Sequence, residues 1–344
     1  MSQRPQYDTI LGIETSCDET SVAVVQSGAV RSNVIASQLV HSEYGGVVPE
    51  MASREHERLL AHITRSALEQ ADVTVDDLDG VAVTYGPGLM GSLLVGVNFA
   101  KGLSLRKDIP LVGVNHIEAH LLANLIDEPE LEFPFLCLLV SGGHTQIIRV
   151  GAYRDYAILG TTIDDAAGEA FDKVARLLGL GYPGGPYIDK HAAEGDPAKY
   201  AFPRSLKNSG DLNFSFSGLK TAALYTIQPL SDEEKQQEVP HLSASFQEAI
   251  VDTLELKLRD AVEQTGIRSV TIAGGVAANS RLRTRMDAMR DELNLQIHYP
   301  DFQYCTDNGA MIAYAGWYAL RNGIIHDLSL TAEPRLSIDS TPVS

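Results

Sequence analysis

Short apolar runs separated by polar turns mark out the elements of this chain. Thr9–Ile13 is apolar, Glu14-Thr15-Ser16-Cys17-Asp18-Glu19-Thr20 is polar, and Val22–Val25 is apolar again. That pattern predicts strand, tight turn, strand. It recurs at Phe135–Val140, Ser141-Gly142-Gly143-His144-Thr145 and then Ile147, Ile148 and Val150, with Ser16 and Ser141 in equivalent places. Two structurally related halves are expected. Turns of this kind can offer successive backbone N–H groups to an anion, although most strand-turn-strand units bind nothing. Between them the pattern predicts a helix near Ala52–Gln70, a buried strand near Gly80–Thr84 and a helix from about Leu89 to Leu105. In that last helix Ser92, Gly96, Ala100 and Ser104 form a stripe of small side chains that lets another helix pack closely. A third element of interest is the apolar strand Val270–Ala273, which runs into Gly274-Gly275-Val276-Ala277-Ala278-Asn279 and a helix. Glycines at such a junction allow backbone to approach a ligand. The polar stretch from Thr161 to about Pro240 reads as an insertion in the second half, with a stiff loop at Gly181–Pro186. A long helix near Leu242–Gln264 follows it, and Thr331–Ser344 reads as an irregular tail.

The length, 344 residues, accommodates two or three domains at about 150 residues each. Apolar residues make 44% and charged residues 21%, which excludes a disordered or fibrous chain. Lys and Arg number 27 against 45 Asp and Glu, a net charge of −18. A broad nucleic-acid-binding surface is normally basic, so any such partner here needs a local patch or helper proteins. Cys17, Cys137 and Cys305 are few, odd in number and far apart, which fits a reducing compartment. The first residues, Met1–Asp8, lack an apolar signal core, and the expectation is a cytoplasmic protein. Gly80–Ala100 carries no charge, but Gly86-Pro87-Gly88 divides it into a strand and a small-residue helix, the pattern of a buried core and not of a membrane span.

His116 and His120 stand at i, i+4, so on a helix their imidazoles point the same way one turn apart. That spacing suits two metal ligands, and it also occurs on an ordinary polar helix face. Ile117 and Ala119 occupy the positions where zinc peptidase motifs carry their glutamate, which argues against peptidase chemistry. Asp307, in Cys305-Thr306-Asp307-Asn308-Gly309, precedes a helix and can be a cap or a third ligand. Two His and one Asp would leave coordination positions open, as iron or zinc sites that also bind substrate require. Arg281, Arg283, Arg285 and Arg290, with Lys101, Arg106 and Lys107 elsewhere, are candidate phosphate contacts; a solvated helix face explains the arginines equally well.

Seven motifs stand in one order: Gly12-Ile-Glu-Thr-Ser-Cys-Asp-Glu-Thr20, Gly45-Gly-Val-Val-Pro-Glu50, His116-Ile-Glu-Ala-His120, Ser141-Gly-Gly-His-Thr-Gln146, Asp164-Asp-Ala-Ala-Gly-Glu-Ala-Phe-Asp-Lys173, Asn213-Phe-Ser-Phe-Ser-Gly-Leu-Lys220 and Cys305-Thr-Asp-Asn-Gly-Ala-Met-Ile-Ala-Tyr314. Together they closely resemble the bacterial TsaD (Gcp) family of tRNA adenosine threonylcarbamoyltransferases, over about residues 8 to 335. The resemblance implies an α/β fold of the actin, sugar-kinase and heat-shock ATPase superfamily, two ribonuclease-H-like lobes around a nucleotide cleft. The expected division is 1–133 for the N-terminal lobe, with a helical insertion and the His-x-x-x-His helix. The C-terminal lobe takes 134–330, with a family-specific insertion at about 161–240, and the tail 331–344.

The resemblance also implies the reaction. Threonylcarbamoyl-AMP, made by a separate enzyme, gives its threonylcarbamoyl group to the exocyclic N6 amine of the adenosine beside the anticodon, in tRNAs reading codons that start with A. His116, His120 and Asp307 would hold one divalent metal, Fe(2+) first and Zn(2+) as the alternative, with Mg(2+) accompanying nucleotide. Leu139, Val140, Ser141, Gly142 and Gly143, with Asp172, Gly185, Asp189 and Asn279, would surround the nucleotide part of the substrate. Glu14, Asp18 and Glu19 would line the phosphate side, and Asp18 or Glu19 would take the proton of the attacking amine. Implied partners are tRNA, the paralogue TsaB and the ATPase TsaE; no membrane is implied. A small-molecule kinase or ATPase of the same fold is the alternative, although a His-x-x-x-His plus Asp set has no task there. Lys107 and Glu333-Pro-Arg-Leu336 depart from the family pattern and are expected to lie outside the site.

Overall fold

The computed structural model describes residues 7–38 and 46–340. Residues 1–6, Gly45 of the Gly45–Glu50 motif and the tail from residue 341 lie outside the described residues. The chain divides into two units, the first holding residues up to Leu131 together with those from Thr306, the second Glu132–Cys305. In the first unit β1 (Thr9–Glu14), β2 (Glu19–Gln26) and β3 (Ala29–Ser37) form an antiparallel meander. After α1 (Pro49–Gln70) come β4 (Gly80–Gly86), α2 (Met90–Lys107), β5 (Leu111–Asn115) and α3 (His116–Asp127). The sheet order is β3-β2-β1-β4-β5, with β4 parallel to β1 and β5 parallel to β4. The uncharged span Gly80–Ala100 is thus strand and helix, as expected, and none of the helices among the described residues is long and apolar enough to cross a membrane.

The second unit repeats the plan. β6 (Phe135–Val140), β7 (Thr145–Ala152) and β8 (Asp155–Thr161) are antiparallel; α4 (Ala167–Leu177), α5 (Gly184–Ala192), α6 (Ser217–Ile227) and α7 (Asp232–Thr265) follow. β9 (Ser269–Ala273), α8 (Ser280–Leu293), β10 (Gln296–His298) and the single turn α9 (Phe302–Cys305) complete it. The sheet order is β8-β7-β6-β9-β10 with β9 and β10 parallel to β6, which is the first sheet's topology strand for strand. The two related halves read from the Ser16 and Ser141 turns are therefore present. The stretch 161–240, expected as a polar insertion, builds three helices that cover the second core through Phe171, Ile188, Leu219 and Ala223. α7 also begins ten residues before the expected Leu242. A capping box, Ser231 with Glu234, and three acidic residues in the first turn start it, and it continues through Pro240. Reciprocal capping satisfies otherwise orphaned N–H groups, so the proline lies inside the helix and does not bound it.

From Thr306 the chain returns to the first unit, whereas sequence placed 306–330 with the second. α10 (Gly309–Arg321) is rich in small residues and lies against β1, β2, β4 and α3. A Cβ on Gly12 of β1 would stand only 2.2 Å from the backbone nitrogen of Ala313, so strand and helix touch main chain to main chain. Burial of β1 on both faces follows: all six of its residues are covered.

Candidate functional site

The return of α10 brings Asp307 to α3. Tyr314 donates its hydroxyl hydrogen to the Leu125 carbonyl at 3.2 Å, tying the two helices, and Asn308 caps α10 by accepting from Met311 N. Asp307 Oδ1 then lies 3.1 Å from His120 Nε2 and 3.5 Å from His116 Nε2. The sequence had left Asp307 open between cap and ligand; the cap is Asn308, and Asp307 faces the histidines. One ligand atom from each of His116, His120 and Asp307 falls within 4.8 Å of the others, the trio among the described residues able to hold a metal ion.

Glu14 closes the other side. Its carboxylate accepts from Ser16 N at 2.5 Å and from the Thr84 hydroxyl at 2.5 Å, and stands 3.2 Å from His116 Nδ1. A carboxylate behind the second ring nitrogen fixes the tautomer and orientation of a metal-ligating histidine. Glu14 is fully buried, so it does not line an open phosphate face as the resemblance implied; it orients His116. Burial works against its charge, but the His116 imidazole holds the Glu14 carboxyl below the usual carboxylate range. Burial likewise opposes charge on Asp307, yet His116 and then His120 hold it well below that range. For His116 burial disfavours the imidazolium, and Asp307 and Glu14 outweigh it, raising the ring well above an ordinary histidine. Each shift says that this buried cluster favours positive charge. His120 Nδ1 is buried without a hydrogen-bond partner. A donor set of two imidazoles and a carboxylate, oriented by a second carboxylate and rich in negative charge, fits a divalent cation of the iron or zinc type.

Asp18 and Glu19 occupy the β1–β2 turn and are half-buried. Burial, then the neighbouring Asp18 and Asp307, push Glu19 well above the usual carboxylate range. A neutral Glu19 donates a proton and does not accept one; a nearby cation would restore the ionised form. The turn itself is clamped twice. His56 of α1, which sequence reasoning did not single out, lies 2.9 Å from the Cys17 carbonyl through Nε2 and 2.8 Å from the Thr20 hydroxyl through Nδ1. Leu89 N donates to Ser16 O at 2.8 Å. The small stripe of α2 serves the same turn: Thr15 Oγ1 donates to Ser92 O, and a Cβ on Gly96 would come within 2.3 Å of Thr15 Oγ1. The stripe thus packs on a strand end, not only on a helix.

The nine positions expected around nucleotide all fall in the second unit. Leu139 and Val140 end β6; Ser141 N donates to His144 O, and His144 N to Ser141 Oγ, closing the turn. Gly142 and Gly143 have nothing within 4 Å of where a Cβ would stand, and neither has Gly185, so their backbone is open to approach. Gly274, with φ of 86°, packs under Val140. Asp172 accepts from Gly184 N at 2.6 Å at the start of α5. Asp189 accepts from the Ser280 amide and hydroxyl and from Asn279, while Asn279 caps α8 and donates to Gln247 on α7 at 2.8 Å. Leu139 and Val140 form the C-terminal end of β6, and Ser141–Gly143 and Asn279 lie beyond the ends of the parallel strands β6 and β9, where α/β sheets carry their ligands. Gln247 and Ser280 are the members sequence reasoning missed.

A family model described as TsaD, tRNA N6-adenosine threonylcarbamoyltransferase, matches residues 29–314. The chain belongs to the TsaD family. It is 50% identical to the tRNA N6-adenosine threonylcarbamoyltransferase of Thermosipho africanus over 96% of this chain and 99% of that protein. It is also 50% identical to the enzyme of that name from Salinibacter ruber, again over 96% and 99%. Among solved structures, T. kodakarensis HypF aligns with a TM-score of 0.61 at 16% identity, over 92% of this chain and 48% of that one. The chain spans about half the length of HypF. Component A of the Acidaminococcus fermentans (R)-2-hydroxyglutaryl-CoA dehydratase aligns at 0.56 and 14%, over 92% and 98%. These likenesses show the shared actin-like ATPase fold. This member of the TsaD family, a family of tRNA-modifying transferases, carries the His-His-Asp trio and the glycine turn in the places described.

The candidate phosphate contacts on α8 of this TsaD family member are engaged within the protein. Arg281 grips both oxygens of Glu248, and Arg285 pairs with Glu248, Asp252 and Glu255. Arg283 bonds Ala277 O and lies over the rings of Tyr299 and Phe302, and Arg290 pairs with Asp287 and Asp291. Carboxylates at 248, 252 and 255 line one face of α7, so this charged face is a helix–helix joint. Lys107 pairs with Asp76 and stays apart from the site, as expected. Glu333–Leu336 does not: Glu333 N donates to Tyr85 O at 2.7 Å and Pro334 O accepts from Gly88 N, next to the loop that holds Ser16.

Proposed function

We propose that the chain transfers the threonylcarbamoyl group of threonylcarbamoyl-AMP to the N6 amine of the adenosine beside the anticodon, in tRNAs reading codons that start with A. Membership of the TsaD family over nearly the full length supports this reading most, and the convergence of His116, His120 and Asp307 suits it. A kinase of the same fold leaves that trio without a task. His116, His120 and Asp307 would hold one divalent metal, Fe(2+) before Zn(2+). Bound there, the cation would supply a fixed positive charge able to orient the threonyl group.

The donor is a mixed carboxylic–phosphoric anhydride and is already activated, so no acyl-enzyme is needed; positioning and charge stabilisation suffice. The amine nitrogen bonds to the carbamoyl carbon, the carbon–oxygen bond to phosphate breaks, and AMP leaves with that electron pair. Glu14 holds His116 Nδ1, keeping Nε2 turned toward Asp307. Backbone N–H groups of Gly142 and Gly143 would bind the AMP phosphate, with Asp172, Gly185, Asp189 and Asn279 shaping the adenosine pocket. Asp18 takes the amine proton as the new bond forms. TsaB and TsaE act as partners in the cytoplasm and enlarge the tRNA-binding surface, which an acidic chain with internally paired α8 arginines needs.

Single turnover with preformed threonylcarbamoyl-AMP and tRNA, read by mass spectrometry of nucleosides and paired with elemental analysis, tests the reading. His116→Ala and Asp307→Ala should lose the metal and slow transfer by at least about 100-fold, since a bound cation supplies several kcal/mol of charge stabilisation. Wild-type rates in both variants would remove the metal from the mechanism.

A further inference from the structure

The segment after α10, irregular in sequence, is anchored. Leu330, Ala332 and Ile338 are buried, and Leu330 joins the core of the first unit. Besides the Glu333–Tyr85 and Gly88–Pro334 hydrogen bonds, a Cβ on Gly86 would stand 2.1 Å from Glu333 O and 2.9 Å from Leu336 Cβ. The loop it covers touches Ser16 on its other side: Leu89 N holds Ser16 O, and a Cβ on Gly88 would stand 2.6 Å from that oxygen. Ser16 Oγ in turn lies 3.3 Å from His116 Nδ1. A second route is direct. Asn115 caps α3, its Oδ1 accepting from Ile117 N at 2.9 Å and Glu118 N at 3.4 Å, and its Nδ2 donates to Ser337 O at 3.4 Å.

α3 begins at His116 itself, so nothing N-terminal to the ligand within the helix steadies it; Asn115, the turn at Ser16 and the Glu14 carboxylate do so from outside. We propose that residues 330–338 form a strap that positions the metal-ligand helix, acting through Asn115 on its cap and through Gly86–Leu89 and Ser16 on the His116 ring. Asn115 is a positioning residue, and so is the main chain of the strap. The grip is largely through backbone atoms. Groups that orient ligands from behind change metal affinity by about 10–100-fold.

The inference rests on the metal reading, and cobalt(II) titration of the full chain, followed by d–d absorption against a competing chelator, separates the two. Asn115→Ser keeps a capping oxygen and removes the strap donor; Gly86→Ala pushes Glu333 away. Both should bind cobalt about 10-fold more weakly and change the spectrum at saturation. Asp327→Ala, in the same tail but with its carboxylate turned back on Ser329, should match the wild type. The inference is overturned if Asn115→Ser binds cobalt as the wild type does, or if affinity in all three variants merely follows the loss in melting temperature. Should Gly86→Ala not fold, Asn115→Ser decides alone. If wild type and His116→Ala bind cobalt alike, the metal reading falls and takes the strap with it.

Discussion

The β1–β2 turn and the β6–β7 turn occupy the same place in two sheets of identical topology, yet their chemistry is opposite. The first is crowded: Glu14 is buried with three partners, Asp18 and Glu19 follow it, His56 and Leu89 hold its main chain, and Ser92 O accepts from the Thr15 hydroxyl. The second is bare, with Gly142 and Gly143 leaving open space where side chains would stand. A crowd of carboxylates and imidazoles without enough positive charge awaits a cation; a turn whose Gly142 and Gly143 backbone is open to approach suits an anion. Topology supplies two equivalent positions, and the side chains at the turn decide what each can hold.

The sharpest break in this comparison is expected at Glu14. Glu14→Gln keeps the shape but removes the charge behind His116, so cobalt(II) affinity should fall by about 10–100-fold. Stability should fall by about 1–3 kcal/mol in denaturant unfolding, because the amide keeps one acceptor oxygen and leaves one of the two donors, Ser16 N or the Thr84 hydroxyl, facing an NH2 group. Unchanged affinity would show that Glu14 is a structural carboxylate only. Glycines give the next contrast. Gly12→Ala drives a Cβ into the Ala313 backbone and should cost about 3 kcal/mol or more, at the upper end of overpacking. Gly142→Ala meets nothing within 4 Å and should leave the unfolding midpoint unchanged while weakening threonylcarbamoyl-AMP binding by about 10-fold, close to one lost charge-assisted hydrogen bond. Equal stability losses in the two variants would mean that the second turn is packed and not open.

What the sequence disclosed follows the range over which its signals act. Both hairpins, β4, α2 and the strand into Gly274-Gly275 were legible because period-2 runs, glycines and turn residues are local. His116 and His120 were legible as a pair because four residues on one helix face need no tertiary information. The return of α10 was not, because it depends on Gly12 meeting Ala313 some 300 residues away. Nor was the work of Glu14, whose partners Thr84 and His116 come from two later strand–helix connections. The α8 arginines stayed open between phosphate contacts and a solvated face because the carboxylates opposite Arg281 and Arg285, Glu248, Asp252 and Glu255, lie on another helix. Pro240 was read as a boundary although Ser231 and Glu234 already spelled a helix start.

The smallest effect concerns what supports the bare turn. α4 begins directly beneath it, with Gly168 N donating to Ser141 O and Ala167 N to Thr145 Oγ1. The approach to α4 is held by Asp164, which accepts from Phe216 N, Ser217 N and the hydroxyls of Ser215 and Ser217. Burial disfavours its charge, but the Ser215 hydroxyl and the Phe216 and Ser217 donors together outweigh it and keep the Asp164 carboxyl below its usual value. A carboxyl lowered in the folded state adds stability above the unfolded value, about 3.9, and that stability disappears as pH falls through the folded value. Because Asp164 is largely exposed, solvent screens most of the effect. Asp164→Asn should therefore melt slightly below wild type at pH 7, with the difference closing below about pH 4 as the wild-type carboxyl protonates. A gap between Asp164→Asn and wild type that stays constant from neutral to acid pH would mean that shape and not charge holds the second turn's support.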